Sequence, residues 1–292
     1  MIDQLLWSTQ PLFTQINPIK SCRLSERLNN KYRPAYGQSA VFKPFIDGVF
    51  TLMSHLYHIA LPVPAETALR IHRLTEQLQI GQRETGQSQS LATEAGQVMS
   101  EVGCQLIDVV FGELVQQFLH VSALPAFRES LAAIEEVKTV LRKYLPWAIS
   151  FFGNERLAPV AKHYADLIQS RQIDGLALPF LVFALPESVA QQALRSLEDL
   201  EQHRVKTATN AIEALIQVID VSLEVLLKQP KTLLKFNFVV DKTLNGVINV
   251  TTSMSYKNLR KLGQQLDPSL FDALTNHLRQ FLIAAAPSSI ER

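Results

Sequence analysis

The feature that most constrains this chain is a helical period held between prolines. Apolar residues recur every three or four positions over most of its length, the spacing that gathers side chains on one face of an α-helix. Val98, Val102, Leu106, Val109, Val110, Leu114, Phe118 and Leu119 mark one such face and predict a helix over about 91–121. Pro125 opens the next, with Phe127, Leu131, Ile134, Val137, Leu141 and Leu145 inward. Proline suits a first helical turn because the N–H it lacks has no intrahelical partner there. Before these, Phe45, Ile46, Val49, Phe50, Met53, Leu56 and Tyr57 predict a helix from Pro44 that reaches Ile59. That helix is apolar on most sides and therefore central. Pro62 and Pro64 end it, and Leu69, Leu74 and Leu78 carry a further helix to Ile80. Asn154 is placed to cap a helix through Ile168.

The longest helical pattern runs over residues 187–228. Leu194, Leu197, Ala211, Leu215, Val218 and Val225 keep its spacing, but Glu201, Arg204 and Ala208 interrupt the face. One helix of this length would span ~60 Å at 1.5 Å per residue and make the molecule elongated. The alternative is two helices. Beyond Pro230 the period changes. Leu234, Phe236, Phe238 and Val240 alternate with Lys235 and Asn237, and Val247 to Thr252 is rich in β-branched residues. Asn245-Gly246 between them is a hairpin signal. The expectation is a β-hairpin over 233–253, a short helix from Ser255 to Gly263, and a last helix opened by Asp267-Pro268 with Leu270, Phe271, Leu274 and Leu278 inward. Phe50, Met53, Leu106, Val110, Phe118, Leu131 and Leu141 are the expected core.

The fold class that follows is mainly all-α: an elongated multi-helix bundle with one inserted β-hairpin near the C-terminus. Residues 1–37 form an irregular basic arm, carrying Lys20, Arg23, Arg27, Lys31 and Arg33. Residues 38–292 form the helical bundle domain. A chain of 292 residues can bury about 75% of its unfolded surface, so it needs neither metal nor disulfide to fold. Only 19% of residues are charged, below the usual ~25%. The apolar excess fits a large core or a hidden partner or lipid surface.

Catalytic signatures are absent from the sequence. Residues 81–88 look like a phosphate-binding loop whose lysine is replaced by Gln87, but they follow a helix instead of a strand, and they read as a plain loop. His55 and His58 stand three apart with His72 on the next helix, yet no carboxylate completes a metal site. Glu135 and Glu136 diverge on their helix, and Glu198, Asp199 and Glu201 read as a solvated face. No catalytic residue, cofactor or metal is assigned. The two cysteines, Cys22 and Cys104, form no disulfide framework, and Cys104 lies in an apolar helical run. With no leader pattern at the N-terminus, the expected compartment is the reducing cytoplasm. The apolar run around 176–185 is half the ~20 residues needed to cross a bilayer.

The charge map is more informative. Net charge is +1, which argues against nucleic acid as the partner of the whole chain. Locally, Lys228, Lys231, Lys235, Lys242, Lys257, Arg260 and Lys261 face a single acid, Asp241, for a net of +6 over 228–261. Residues 187–227 carry seven acids and three bases, a net of −4. Either the basic segment lies on its own acidic neighbour, or Lys235, Phe236, Phe238, Lys242, Lys257, Arg260 and Lys261 form a partner-binding face. The functional expectation is a non-enzymatic cytoplasmic binding protein, taking a protein partner, a second copy through the hairpin, or an apolar small ligand. The alternatives are a membrane-active helical protein that is not integral but releases 176–185 or the hairpin, and an enzyme with a dispersed site.

Overall fold

The computed structural model describes residues 57–80, 88–121 and 124–284. The protein is mainly α-helical, with one small antiparallel sheet among the described residues. In chain order the elements are β1 (Tyr57–Pro62), α1 (Ala65–Ile80), α2 (Ser88–Ile107), α3 (Glu113–Val121), α4 (Pro125–Ile149), α5 (Asn154–Leu167), β2 (Ile168–Ile173), β3 (Leu176–Leu185), α6 (Glu187–Glu201), α7 (Thr209–Leu223), α8 (Gln229–Leu234), α9 (Phe238–Gln265), α10 (Phe271–Arg279) and β4 (Leu282–Ala284). The helix expected over 91–121 is present as α2 and α3, joined without a break by one π-helical turn, Asp108–Gly112. A second π-helical turn, Glu224–Lys228, joins α7 to α8. The arm 1–37, Cys22, His55, Phe50, Met53 and the loop 81–87 lie outside the described residues.

The sheet order is β2-β3-β1-β4, and every neighbour is antiparallel. β1 replaces the end of the helix expected through Ile59. Ile59, Ala60 and Leu61 are all buried, so both faces of the strand are covered and no period of two shows in the sequence. β2 and β3 form a hairpin whose two-residue loop, Asp174-Gly175, has φ of +50° and +79°. Positive φ at both loop positions matches the twist of the flanking strands, and Asp-Gly supplies it readily. The chain thus does contain a β-hairpin, at 168–185.

Residues 233–253 are helical, which corrects the hairpin expected there. α8 ends at Lys235 in the left-handed conformation (φ +50°), and α9 then runs unbroken through Asn245, Gly246 and Ser255 to Gln265. The Asn237 side chain accepts from the Val240 amide and caps α9. The reason lies in a longer-range pattern. Val240, Leu244, Val247, Thr251, Ser255, Leu259 and Leu262 keep a spacing of three and four straight through Asn245-Gly246, and tertiary packing rewards that period over the two-residue signal.

Residues 187–228 are two helices. α6 stops at Glu201, the chain turns through Gln202 to Ala208 with His203 at φ +50°, and α7 packs back against α6. The polar interruption is therefore the turn itself, and the ~60 Å helix that implied elongation does not form. Arg204 pairs with Asp199 and Glu198, and Arg279 with Glu201, so the acids of the turn are neutralised locally.

Among the described residues two large apolar cores result, with two smaller clusters beside them. The first packs Leu181, Phe183 and Leu185 of the sheet against Ile71 and Leu78 of α1, Val98 of α2 and Leu157 of α5. The second gathers Phe118, Phe127, Leu200, Ile212, Leu262, Phe271 and Leu274 from α3, α4, α6, α7, α9 and α10. Phe118 is fully buried, and its ring tilts against Phe127 at 5.3 Å. Leu106, Val110, Leu131 and Leu141, all expected in the core, are only half-buried.

Candidate functional site

Those half-buried positions belong to a space between the two cores. α4 runs 25 residues, yet only Phe127, Lys138, Ala148 and Ile149 on it are buried. α9 runs 28 residues and buries only Val240, Leu244, Leu262 and Gly263. The inward faces of both helices are apolar, but they do not meet closely. Between them and α7 lies a cavity of about 280 Å³, lined by Ile134, Leu141 and Leu145 of α4, Leu215, Ile219 and Leu223 of α7, and Leu244, Val247, Ile248 and Leu259 of α9. A second cavity of about 230 Å³ lies toward α2 and the sheet, lined by Val102, Leu106, Val110, Leu197, Val218 and Leu282. The two share a common wall that includes Met99, Phe111, Leu141, Tyr164, Leu215, Ile219, Leu223 and Leu226.

The first cavity is a slot set lengthwise in an antiparallel pair. Lys261 meets Glu129 at one end of the α4–α9 contact, at 2.6 Å, and Ala148 packs on Val240 and Leu244 at the other. Between Leu244 and Leu262 helix α9 rises ~27 Å. α7 closes a third side, held to α9 by Arg260 on Glu213 (2.7 and 3.1 Å) and by the Tyr256 hydroxyl donating to Asp220 (2.6 Å). Arg260 holds the Glu213 carboxyl below the usual range. Burial, then Asp220, pushes the Tyr256 hydroxyl up.

Both π-helical turns stand in the cavity walls. Val110 and Phe111 come from the first, and Leu226 and Leu227 from the second. A π turn inserts one extra residue, widens the helix and displaces carbonyls from their usual partners; such turns are rare and concentrate at functional sites. Here a histidine bonds one carbonyl of each turn. His277 Nε2 donates to the Val110 carbonyl at 3.0 Å, and His163 Nε2 to the Val225 carbonyl at 2.9 Å. The buried Tyr164 hydroxyl donates to the Leu226 carbonyl, and burial pushes that hydroxyl up. Lys138 reaches Asp108 in the first π turn and Glu135 on its own helix, both at 2.7 Å, and these carboxylates hold its ammonium above the usual lysine value.

Charge enters the slot only at one end. Lys231 lines it there, with its ammonium 2.8 Å from Asp241 and bound to the Asn245 side chain. Elsewhere the polar lining is hydroxyl and amide, from Ser130, Tyr144, Tyr164, Thr251, Thr252, Ser255, Tyr256 and Asn258. Cys104 is buried, with its thiol toward the Lys138 carbonyl at 3.7 Å. Among the described residues no three His, Cys, Asp or Glu side chains converge as a metal site would require. His58 lies in β1 and His72 is exposed on α1. No described helix is long and apolar enough to cross a membrane.

The seven residues expected to form one basic face separate. Arg260 is tied to Glu213 of the acidic stretch 187–227, while Lys261 is tied to Glu129 on α4. Lys257 is exposed near them. Phe238 and Lys242 lie in the first turns of α9, roughly 22–35 Å along the helix from those three, with Lys235 and Phe236 just before it. Phe236 packs edge-on against Phe152 at 4.8 Å. Residues 176–185, the segment imagined as releasable, are an interior strand paired on both sides. The position of the cavity is not legible in the sequence, because its lining reads there as ordinary core. Comparison with known protein families, curated proteins and solved structures gives no match.

Proposed function

We propose that this chain is a non-enzymatic binding protein whose ligand is an apolar small molecule held between α4, α7 and α9. The observation that carries the reading is the apolar slot with two pinned π turns in its walls. Ligand sites are typically concave, mostly apolar, and furnished with a few placed polar groups. The slot fits that description, with Lys231, Asn258 and Ser255 among its polar points. The lining is overwhelmingly apolar and much of it is only half-buried, and a long-chain ligand would remove that apolar surface from water. The burial of Cys104 and the low cysteine count favour the cytoplasm as its compartment.

The test is a filled slot. Ile219→Trp and Leu223→Trp each place a large side chain in the common wall. Wild-type protein should retain a hydrocarbon-chain compound through native mass spectrometry, or take up diphenylhexatriene with saturable fluorescence. Both substitutions should abolish this while the far-UV circular dichroism stays unchanged. Saturable uptake that survives both substitutions would refute the site, and so would wild type that neither retains nor takes up any apolar compound.

A further inference from the structure

One end of the bundle carries an array that the cavity does not explain. At the C-terminal end of α4, Tyr144, Trp147 and Phe151 form an aromatic ladder, with T-shaped pairs at 6.4 and 5.3 Å. Trp147 is 40% and Phe151 59% exposed. At the start of α9, Phe238 is 79% and Val239 70% exposed. The two groups belong to the same end of the molecule. Ala148 of α4 is buried against Val240 and Leu244 of α9, and Phe152 packs on Phe236 across the same seam. The exposed rings therefore flank one buried seam on both sides.

Cations accompany them. Lys143 Nζ lies 5.3 Å from the Tyr144 ring, and Lys242 Nζ lies 5.9 Å from the Phe238 ring. Arg156 reaches from α5 to the Lys235 carbonyl. Over 143–156 and 231–242 the bases are Lys143, Arg156, Lys231, Lys235 and Lys242, and the acids are Glu155 and Asp241. Asp241 is already engaged by Lys231. The end is thus positive where the aromatic residues stand out.

We propose that this end docks on the surface of an anionic lipid bilayer, with Trp147, Phe151, Phe238 and Val239 entering the headgroup region and Lys143, Lys235, Lys242 and Arg156 at the level of the lipid phosphates. The chemistry of the parts fits that partner. Tryptophan and tyrosine settle at membrane interfaces, where an apolar ring and a polar edge are both satisfied. Lysine keeps its ammonium at the headgroups while its stem follows the apolar side chains. Basic residues beside an apolar patch add attraction to an anionic leaflet. The shape favours lipid over a protein partner. Phe238 and Val239 project from a helix start as knobs, and a fluid interface accepts knobs without a matching hole. The attachment is peripheral, and it stands independently of ligand uptake by the slot.

The experiment uses the full chain and vesicles of defined composition. The protein has two tryptophans, Trp7 and Trp147, so Trp7→Phe leaves Trp147 as the reporter. With phosphatidylglycerol vesicles its emission should shift to the blue and be quenched by lipids brominated along the acyl chain. Phosphatidylcholine vesicles should produce neither effect. In co-sedimentation, Phe151→Ser with Phe238→Ser, and separately Lys235→Glu with Lys242→Glu, should each lower the affinity for anionic vesicles by about tenfold or more. These positions are exposed, and unchanged circular dichroism with an unchanged urea unfolding midpoint shows that the variants are folded. The proposal is overturned by absence of binding to anionic vesicles, by equal binding to neutral ones, or by binding that both variant pairs leave intact. It is also overturned if the same substitutions instead abolish self-association in light scattering, which would make this end a protein interface.

Discussion

Gly246→Ala separates the two conformations that residues 233–253 could adopt, and its sign follows from the structure. In α9 a methyl group added at Gly246 meets nothing within 4 Å. The substitution then gains the helix preference of alanine over glycine, about 0.8–1 kcal/mol. In a two-residue hairpin turn the same position would need positive φ, which costs a residue bearing Cβ about 1–2 kcal/mol. Gly96→Ala is the counterpart. A Cβ at Gly96 would stand 2.7 Å from the Pro146 Cα, where α2 crosses α4. Carbon atoms in contact keep ~3.5–4.0 Å, so the two backbones must part by roughly 1 Å. Overpacking of this kind costs about 1–3 kcal/mol, enough to cancel or exceed the same gain in helix preference. Urea unfolding followed by far-UV circular dichroism should therefore find Gly246→Ala more stable than wild type by about 0.5–1 kcal/mol, with Gly96→Ala less stable than Gly246→Ala by about 1–3 kcal/mol. If Gly246→Ala is destabilised instead, α9 is not helical through Asn245-Gly246. If Gly96→Ala is stabilised as much as Gly246→Ala, the close crossing of α2 and α4 is wrong.

Three further outcomes are expected. Phe118→Ala removes a fully buried ring paired with Phe127 and should lose about 3–5 kcal/mol in the same unfolding assay. Leu106→Ala, on a cavity wall that already lacks neighbours on one side, should lose only about 1 kcal/mol, near the mean for point substitutions; a loss equal to that of Phe118→Ala would show the cavity to be packed shut. Glu213→Gln should cost at most about 1 kcal/mol near neutral pH, because its pair with Arg260 is partly exposed. Since Arg260 holds that carboxyl below its ordinary value, the pair's contribution is complete above about pH 4.5 and is lost as pH falls through the lowered value. Unfolding curves of wild type and Glu213→Gln should accordingly converge at low pH, and a difference that grows in acid would contradict the ion pair.

The helical period decided most of what is helical here. Val98 to Leu119 and Phe127 to Leu145 gave α2, α3 and α4 with nearly correct limits, because a long amphipathic face can be buried in only one way. The start of α6 was legible at Pro186, but the polar run after Glu201 left one helix or two open, and the chain stays helical past Pro230 to Leu234. The strands were not. Ile59 to Leu61 and Phe180 to Phe183 are buried on both faces, and a short apolar run carries no period that distinguishes strand from helix. Asp174-Gly175 and Asn245-Gly246 are the same local signal. Only pairing with β1 and β2 at one site, and packing on α4 and α7 at the other, made the first a turn and the second a stretch of helix.

The slot is the clearest case of what tertiary structure alone decides. Leu141, Leu145, Ile219, Leu223, Val247 and Leu259 have the composition and spacing of a filled core. Whether such residues touch depends on how far apart three helix axes come to rest, and on two π turns that widen the walls. Those distances are set by remote contacts: Gly96 on Pro146, Lys261 on Glu129, Arg260 on Glu213. Sequence fixes which faces are apolar, because hydrophobicity is a property of each residue. It leaves open how closely apolar faces meet, because packing is a property of the whole assembly of helices.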